Sequence, residues 1–202
     1  MHDHHLMANS LPLQDRDLLH RLNLYFDSLD SRLQQGEGWV IFNATGSRSA
    51  RISQYLIQRI HEASLWSHFI VPWRDFSLTA YMVEFELRGL DTTASEVSLD
   101  LKREYEIATR ISQQTMIKMV TADLLVVNGL LPRHGHEVRY LNDTIESRYR
   151  SRLATIIVTP EQPHELEQDV TRLADNGGDT WQRLANRLYE TSLIAFSVER
   201  RL

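Results

Sequence analysis

The alternation of short apolar runs with longer amphipathic stretches predicts an α/β fold: a parallel five-stranded sheet with helices on both faces. Three observations carry that expectation. Runs beginning at Trp39, His68, Ala122, Ala154 and Ser192 read as buried strands, rich in Val, Ile and Leu and bounded by turn residues. Between them lie stretches with helical spacing, long enough for the right-handed crossovers that parallel strands require. The first run also passes through a small-residue turn straight into a helix, a layout that aims helix-start N–H groups at an anion.

Composition narrows the class. The 202 residues suit one domain with a substantial core, and 42% hydrophobic with 24% charged residues is a globular profile. No apolar run approaches the ~20 residues that span a bilayer. The opening residues lack a signal peptide's long apolar segment, so a cytoplasmic protein is expected. The absence of cysteine excludes disulfides, thiolate catalysis and cysteine zinc sites. A formal net charge of -5 argues against general nucleic-acid affinity, which depends on neutralising phosphates.

Residues 1–12 read as a solvated lead, in which His2, His4 and His5 are a tail cluster and not a metal site. Over 13–35, Leu18, Leu22, Tyr25, Phe26, Leu29 and Leu33 recur at helical spacing. This predicts one amphipathic helix, ended by Gly36 and Gly38, whose stripe packs on the core in preference to a partner. The division drawn is therefore a tail plus helix over 1–35 and the main domain over 36–202. After the first strand, a helix from about 49 to 63 buries Ile52, Leu56 and Ile60. The strand at 68–72 stops at Pro72, and the next helix carries Leu78, Met82, Phe85 and Leu87. A polar loop at 91–96 precedes a helix over 98–120 with Leu101, Tyr105, Ala108, Ile111 and Met119 inward. The strand at 122–127 ends at Asn128-Gly129; a loop over 130–138 follows, then a helix over 140–152 with Leu141, Ile145 and Tyr149 inward. Arg148, Arg150 and Arg152 complement the dipole at its end. The strand at 154–159 stops at Pro160, two helices (162–174 and 180–189) flank Asp175-Asn-Gly-Gly178, and the last strand is 192–197.

The turn after the first strand invites comparison with the Walker A pattern G-x-x-x-x-G-K-[ST]. Aligned without gaps, Asn43 stands at the first glycine, Arg48 at the second, Ser49 at the lysine and Ala50 at the hydroxyl. With one residue deleted, Arg48 takes the lysine position and Ser49 the hydroxyl, and the sequence leaves both alignments open. Asn43, Thr45, Gly46, Ser47, Arg48 and Ser49 are thus candidates for a vestigial nucleotide-binding turn, with Asn128 at the end of the third strand. His134 and His136 with Glu137 have ligand-like composition, but a glycine-spaced pair without a third fixed donor is a solvated loop. With Arg133 and Arg139 they form a candidate contact for a partner or for nucleic-acid phosphate.

The order of elements resembles the AAA+ ATPase core. Ala122-Asp-Leu-Leu-Val-Val-Asn-Gly-Leu130 is similar to the "adLLviDdlG" strand of DnaC-type helicase loaders and IstB-type transposition ATPases. The stretch 140–159 resembles their "..ii..Ry....pviitTN" segment, and Arg183-Leu-Ala-Asn-Arg-Leu188 their "..sRl" region. The DnaA and Hda core is similar in the same way, although no DNA-binding domain is expected after the sheet. The resemblance implies Arg187, with Arg183 a turn away, as an arginine finger, and Arg200 as a sensor-2-like group. It also implies that Walker B acids correspond to Asn128 and Gly129, and the sensor-1 asparagine to Pro160. Phosphoryl transfer depends on metal and cation stabilisation of charge. With lysine, carboxylate and catalytic acid replaced, no ATPase activity, no catalytic residue and no cofactor or metal are expected.

The reading is an inactive AAA+-like binding module, loader-like or transposition-adaptor-like. Its expected partner is a helicase, a recombinase or an active AAA+ subunit, with DNA reached through that partner; an oligomer is expected, and no membrane. Two alternatives stand beside it: a variant NTPase with Arg48 in its P-loop, and a purely structural oligomerisation subunit.

Overall fold

The structure, a computed structural model, describes residues 13–63, 66–82 and 99–195. The histidines at 2, 4 and 5, the helix positions Phe85 and Leu87, the 91–96 loop, the last two residues of the final predicted strand and Arg200 lie outside the described residues.

The elements are α1 (Leu13–Asp27), α2 (Leu29–Gln34), β1 (Gly38–Ile41), α3 (Gly46–Glu62), β2 (His68–Pro72), α4 (Trp73–Tyr81), α5 (Leu99–Thr121), β3 (Leu124–Asn128), α6 (Gly135–Arg150), β4 (Ala154–Val158), α7 (Pro163–Leu173), α8 (Gly177–Thr191) and β5 (Ser192–Ala195). The expected sheet is borne out: five strands in the order β2-β3-β4-β1-β5, each pairing parallel. From β1 the chain crosses to the far edge at β2, returns through β3 and β4, then passes over β1 to β5. Loops that leave β1 and β4 therefore diverge at the carboxyl ends of the strands, where open α/β sheets place their ligands.

Side-chain alternation splits the core in two. Trp39, Ile41, Leu124, Val126, Ala154, Ile156 and Val158 face α1, α2 and α3, with Leu22, Tyr25, Leu29, Leu33, Leu56 and Ile60 against them. Val40, Phe42, Leu125, Val127 and Ile157 face the other helices through Phe76, Met119, Leu141, Ile145, Leu166, Val170 and Leu184. The amphipathic stripe of the first helix thus packs on its own sheet. Tyr25 crosses edge-to-face with Trp39 at 6.1 Å, and its hydroxyl donates to the Glu37 carbonyl at 2.7 Å.

Four expectations are corrected. The first helix breaks at Ser28, whose hydroxyl donates to the Leu24 carbonyl at 2.9 Å, a local bond that competes with the helix ladder. Leu78 and Ile111 are exposed, and α4 buries Trp73, Phe76, Thr79 and Ala80 instead. The 130–138 loop is shorter than expected, because α6 starts at Gly135: Glu137 reaches back to accept the His134 amide at 3.0 Å. Arg148, and not Tyr149, is the buried member of the last turn of α6.

Candidate functional site at the carboxyl edge of the sheet

The β1–α3 turn is built by its neighbours. Thr159 N–H donates to the Ile41 carbonyl at 2.9 Å; Asn43 N–H donates to the Glu161 carbonyl at 3.0 Å and Ala44 N–H to the Thr159 carbonyl at 2.9 Å. Asn43 and Gly46 hold left-handed backbone, φ 55° and 50°. The position of Gly46 has open space around it, so conformation and not crowding calls for glycine there. Thr45 is the extended N-cap residue of α3.

Arg48, at either the second-glycine or the lysine position, folds back into this turn. Its guanidinium donates to the carbonyls of Phe42 at 3.1 Å and Asn43 at 2.5 Å. Thr45 and Ser47 are exposed beside it, and Ser47 accepts a bond from Arg51 at 3.1 Å. The Ser53 hydroxyl lies 2.8 Å from the Ser49 carbonyl and 2.9 Å from Asn128 Oδ1, and its single proton is shared between the two acceptors. The structure therefore brings Asn43, Arg48, Ser49 and Asn128 together, with Ser53 as a link the sequence did not single out. Two turn amides donate to β4-side carbonyls, Arg48 Nη1 donates to two main-chain oxygens of the turn, and a neutral amide stands at the end of β3.

Glu161, just beyond β4, is the residue that sequence reasoning missed. It is 8% exposed; Thr159 Oγ1 accepts its N–H at 3.1 Å, and its Oε2 has no hydrogen-bond partner among the described residues. Burial, then the neighbouring Asp169 and Glu165 carboxyls, push its carboxyl up to about 7, against the pull of Arg133. Nothing local marks it, because Asp169 reaches it only through the packing of α7. Relative to an unfolded value near 4.5, the folded chain holds an extra proton between about pH 4.5 and 7, so stability falls as pH rises through that window. Glu161→Gln is expected to flatten this fall and to make the protein more stable at pH 8 than the parent, by on the order of 1–2 kcal/mol. Urea denaturation at pH 5 and pH 8 checks it.

The remaining candidates lie elsewhere. Arg133 and His134 are exposed at the start of α6; the His134 and His136 rings stack at 5.4 Å, and His136 meets Tyr81 edge-on at 5.9 Å. Arg139 pairs with Asp175 at 3.2 Å. Buried Glu137 accepts the Arg133 amide as well and a hydroxyl bond from Ser77. It serves as the helix-start anchor and not as a metal donor. Arg187 sits over the Tyr149 ring at 4.1 Å and pairs with Glu146 at 3.0 Å and Glu190 at 3.7 Å. Arg183 reaches the Asp179 carbonyl of its own helix at 3.4 Å. Arg187 is near the last turn of α8, next to the amino end of β5, and so lies at the opposite end of the sheet from the β1–α3 turn.

Sheet order, crossover pattern and the strand–turn–helix at β1 define a P-loop NTPase fold of the AAA+ kind. The crystal structure of the DnaC helicase loader matches it with a TM-score of 0.60 at 14% identity, covering 92% of this chain and 90% of that one. The crystal structure of DnaI matches with a TM-score of 0.59 at 11% identity, over 96% of this chain and 89% of that one. At such identities the likeness shows the fold. No family model matches the sequence, and no curated protein matches it. Among the described residues no helix is long and apolar enough to cross a membrane.

Proposed function

We propose that this chain is a catalytically silent AAA+-like module that acts by binding, in the manner of a helicase loader or a transposition adaptor. The observation that carries the reading is Arg48 folded onto the Phe42 and Asn43 carbonyls, where a nucleotide cradle would present donors. An acceptor-lined turn filled by its own guanidinium offers little to phosphate oxygens. Asn128, tied to Ser53, supplies no charge to hold magnesium. The fold shared with the DnaC helicase loader supports a protein partner, a helicase, a recombinase or an active AAA+ subunit, within a cytoplasmic DNA-processing assembly and with DNA met through that partner. Arg183, Arg187 and Arg200 are proposed as residues facing a neighbouring subunit in an oligomer, and Arg133, His134, His136 and Arg139 as a second contact.

Titration calorimetry with ATP and magnesium, followed by a phosphate-release assay, tests the silent cradle. No magnesium-dependent turnover is expected; micromolar binding followed by hydrolysis would overturn the reading in favour of an NTPase that uses Arg48. Co-purification from the native host with mass spectrometry tests the partner. Recovery of a helicase, recombinase or AAA+ chain in constant ratio is the expected result, and recovery of this chain alone favours a purely structural oligomer.

A further inference from the structure

Glu161 joins a buried carboxyl to the β1–α3 turn. The residue is 8% exposed, and its Oε2 has no hydrogen-bond partner among the described residues. Its carboxyl comes within hydrogen-bonding reach of Asp169 on α7. Two carboxylates are both acceptors, so this contact is a bond only when one of them carries a proton. Arg172 donates to Asp169 at 2.6 Å and the Asp169 side chain is 22% exposed, so Asp169 keeps its charge. The proton therefore rests on Glu161, the deeper of the two, where a charge would be dry and unpaired. Glu165, also on α7, adds a second negative charge facing Glu161, and Arg133, in the loop before α6, is a cation that faces both members of the pair.

The main chain of the same segment fastens the turn. The Glu161 carbonyl accepts the Asn43 N–H, and the Thr159 carbonyl accepts the Ala44 N–H. Between these two bonds, Thr159 Oγ1 accepts the Glu161 N–H at 3.1 Å and donates to the Leu130 carbonyl at 2.8 Å. Residues 159–161 thus form a short strut, set between the Leu130 carbonyl and the side-chain contact with α7. Asn43 at φ 55° occupies backbone that a non-glycine residue adopts at a cost, and the strut's bonds help to hold it there.

We propose that the Glu161–Asp169 pair is a proton-operated latch on the β1–α3 turn. With the proton in place the two carboxyls are bonded, and the 159–161 strut holds Asn43 and Ala44. Without it, two like charges meet where one of them is dry, and the strut withdraws from the turn. Opening frees the Asn43 and Ala44 N–H groups, so the pair decides whether the turn has donors to offer. The closed latch binds its proton more tightly than the open one, so it is shut at acid pH and loosens as pH rises from about 4.5 to about 7. The proposal goes beyond the silent-cradle reading, and either can fail alone, because the turn is fastened whether or not a nucleotide binds.

The test is amide hydrogen exchange on the full ¹³C,¹⁵N-labelled chain between pH 5 and pH 8, with rates corrected for their intrinsic pH dependence. Protection of Asn43 and Ala44 is expected to fall about tenfold or more between pH 5 and pH 7 and to level off above that. Their exchange should be insensitive to urea below the unfolding transition, which marks a local opening and separates it from global unfolding. Glu161→Gln, whose side-chain amide donates to Asp169 at every pH, is expected to abolish the fall. In the parent chain, the Glu161 carboxyl ¹³C resonance is expected to titrate well above the ordinary carboxylate range, a readout that needs no variant. The proposal is overturned if Asn43 and Ala44 exchange only through the urea-dependent opening that exposes the β3 amides, or if their protection is equal at pH 5 and pH 7. It is equally overturned if Glu161→Gln keeps the parent's pH profile, or if the Glu161 resonance titrates at the ordinary value.

Discussion

Arg148→Met is expected to lower stability by about 3–5 kcal/mol, the cost of leaving buried polar groups unpaired when one partner is removed. The wild-type guanidinium is 1% exposed, and among the described residues no carboxylate is bonded to it. It donates instead to the carbonyls of Met119 at 2.8 Å and Ala122 at 2.9 Å, to Ala154 at 2.5 Å, and to the Thr155 hydroxyl at 2.9 Å. Met119 and Ala122 belong to the last turn of α5 and the residue after it, where a helix leaves carbonyls without intrahelical donors. A side chain from α6 therefore caps α5 and ties it to the amino ends of β3 and β4. Burial pushes the guanidinium down to about 10, against the pull of Asp123, so it stays charged at neutral pH. Methionine keeps most of the volume and removes every donor, leaving those oxygens dry. For a chain of this length the loss corresponds to a melting point lower by roughly 10 °C. Arg148→Lys should recover only part of it, because three donors on one nitrogen cannot span positions that a planar fork reaches. Thermal and urea unfolding of both variants at pH 7 check the expectation, and a Met variant as stable as the parent would sink it.

Arg148 also shows where the sequence stops being readable. Leu141 and Ile145 set the inward face of α6, and the next inward residue is three or four positions on, Arg148 or Tyr149. Hydropathy favours tyrosine, but the unsatisfied carbonyls of α5 favour a donor, and those carbonyls come from an element whose packing one sequence does not disclose. The central strands β1, β3 and β4 were legible for the opposite reason: each is a continuous apolar run buried on both faces, a signal that needs no partner to be seen. The start of α6 was legible in principle, since Glu137 follows three residues after His134 in a capping-box arrangement, but histidine is not among the favoured N-cap residues. At the candidate site, the replaced positions Asn43, Arg48 and Asn128 could be counted from the motif. Where the Arg48 side chain turned could not, because its acceptors are main-chain oxygens that every residue possesses. Glu161 gave no sign, as its neighbour Asp169 arrives only when α7 is laid against the sheet.

Gly38→Ala is expected to be at least as damaging, costing about 3 kcal/mol or more and depleting soluble protein. A Cβ built on Gly38 would lie 1.8 Å from the Thr155 carbonyl oxygen and 2.7 Å from its carbon, both main-chain atoms of β4 that no rotamer change can move. Glycine within a strand marks such close backbone approach. Relief requires β1 to withdraw from β4, and β1 is held on its other side by β5. It also carries, at its carboxyl end, the turn that Asn43 and Ala44 fasten to the Thr159–Glu161 segment. Withdrawal would therefore loosen the sheet and the candidate site together. Gly46→Ala is the informative control: its φ of 50° gives alanine some strain, but there is nothing within 4 Å to strike. That variant should lose only about 1 kcal/mol and keep its near-ultraviolet circular dichroism. If both alanine variants unfold at the same urea concentration, the approach of β1 to β4 is not the constraint on Gly38.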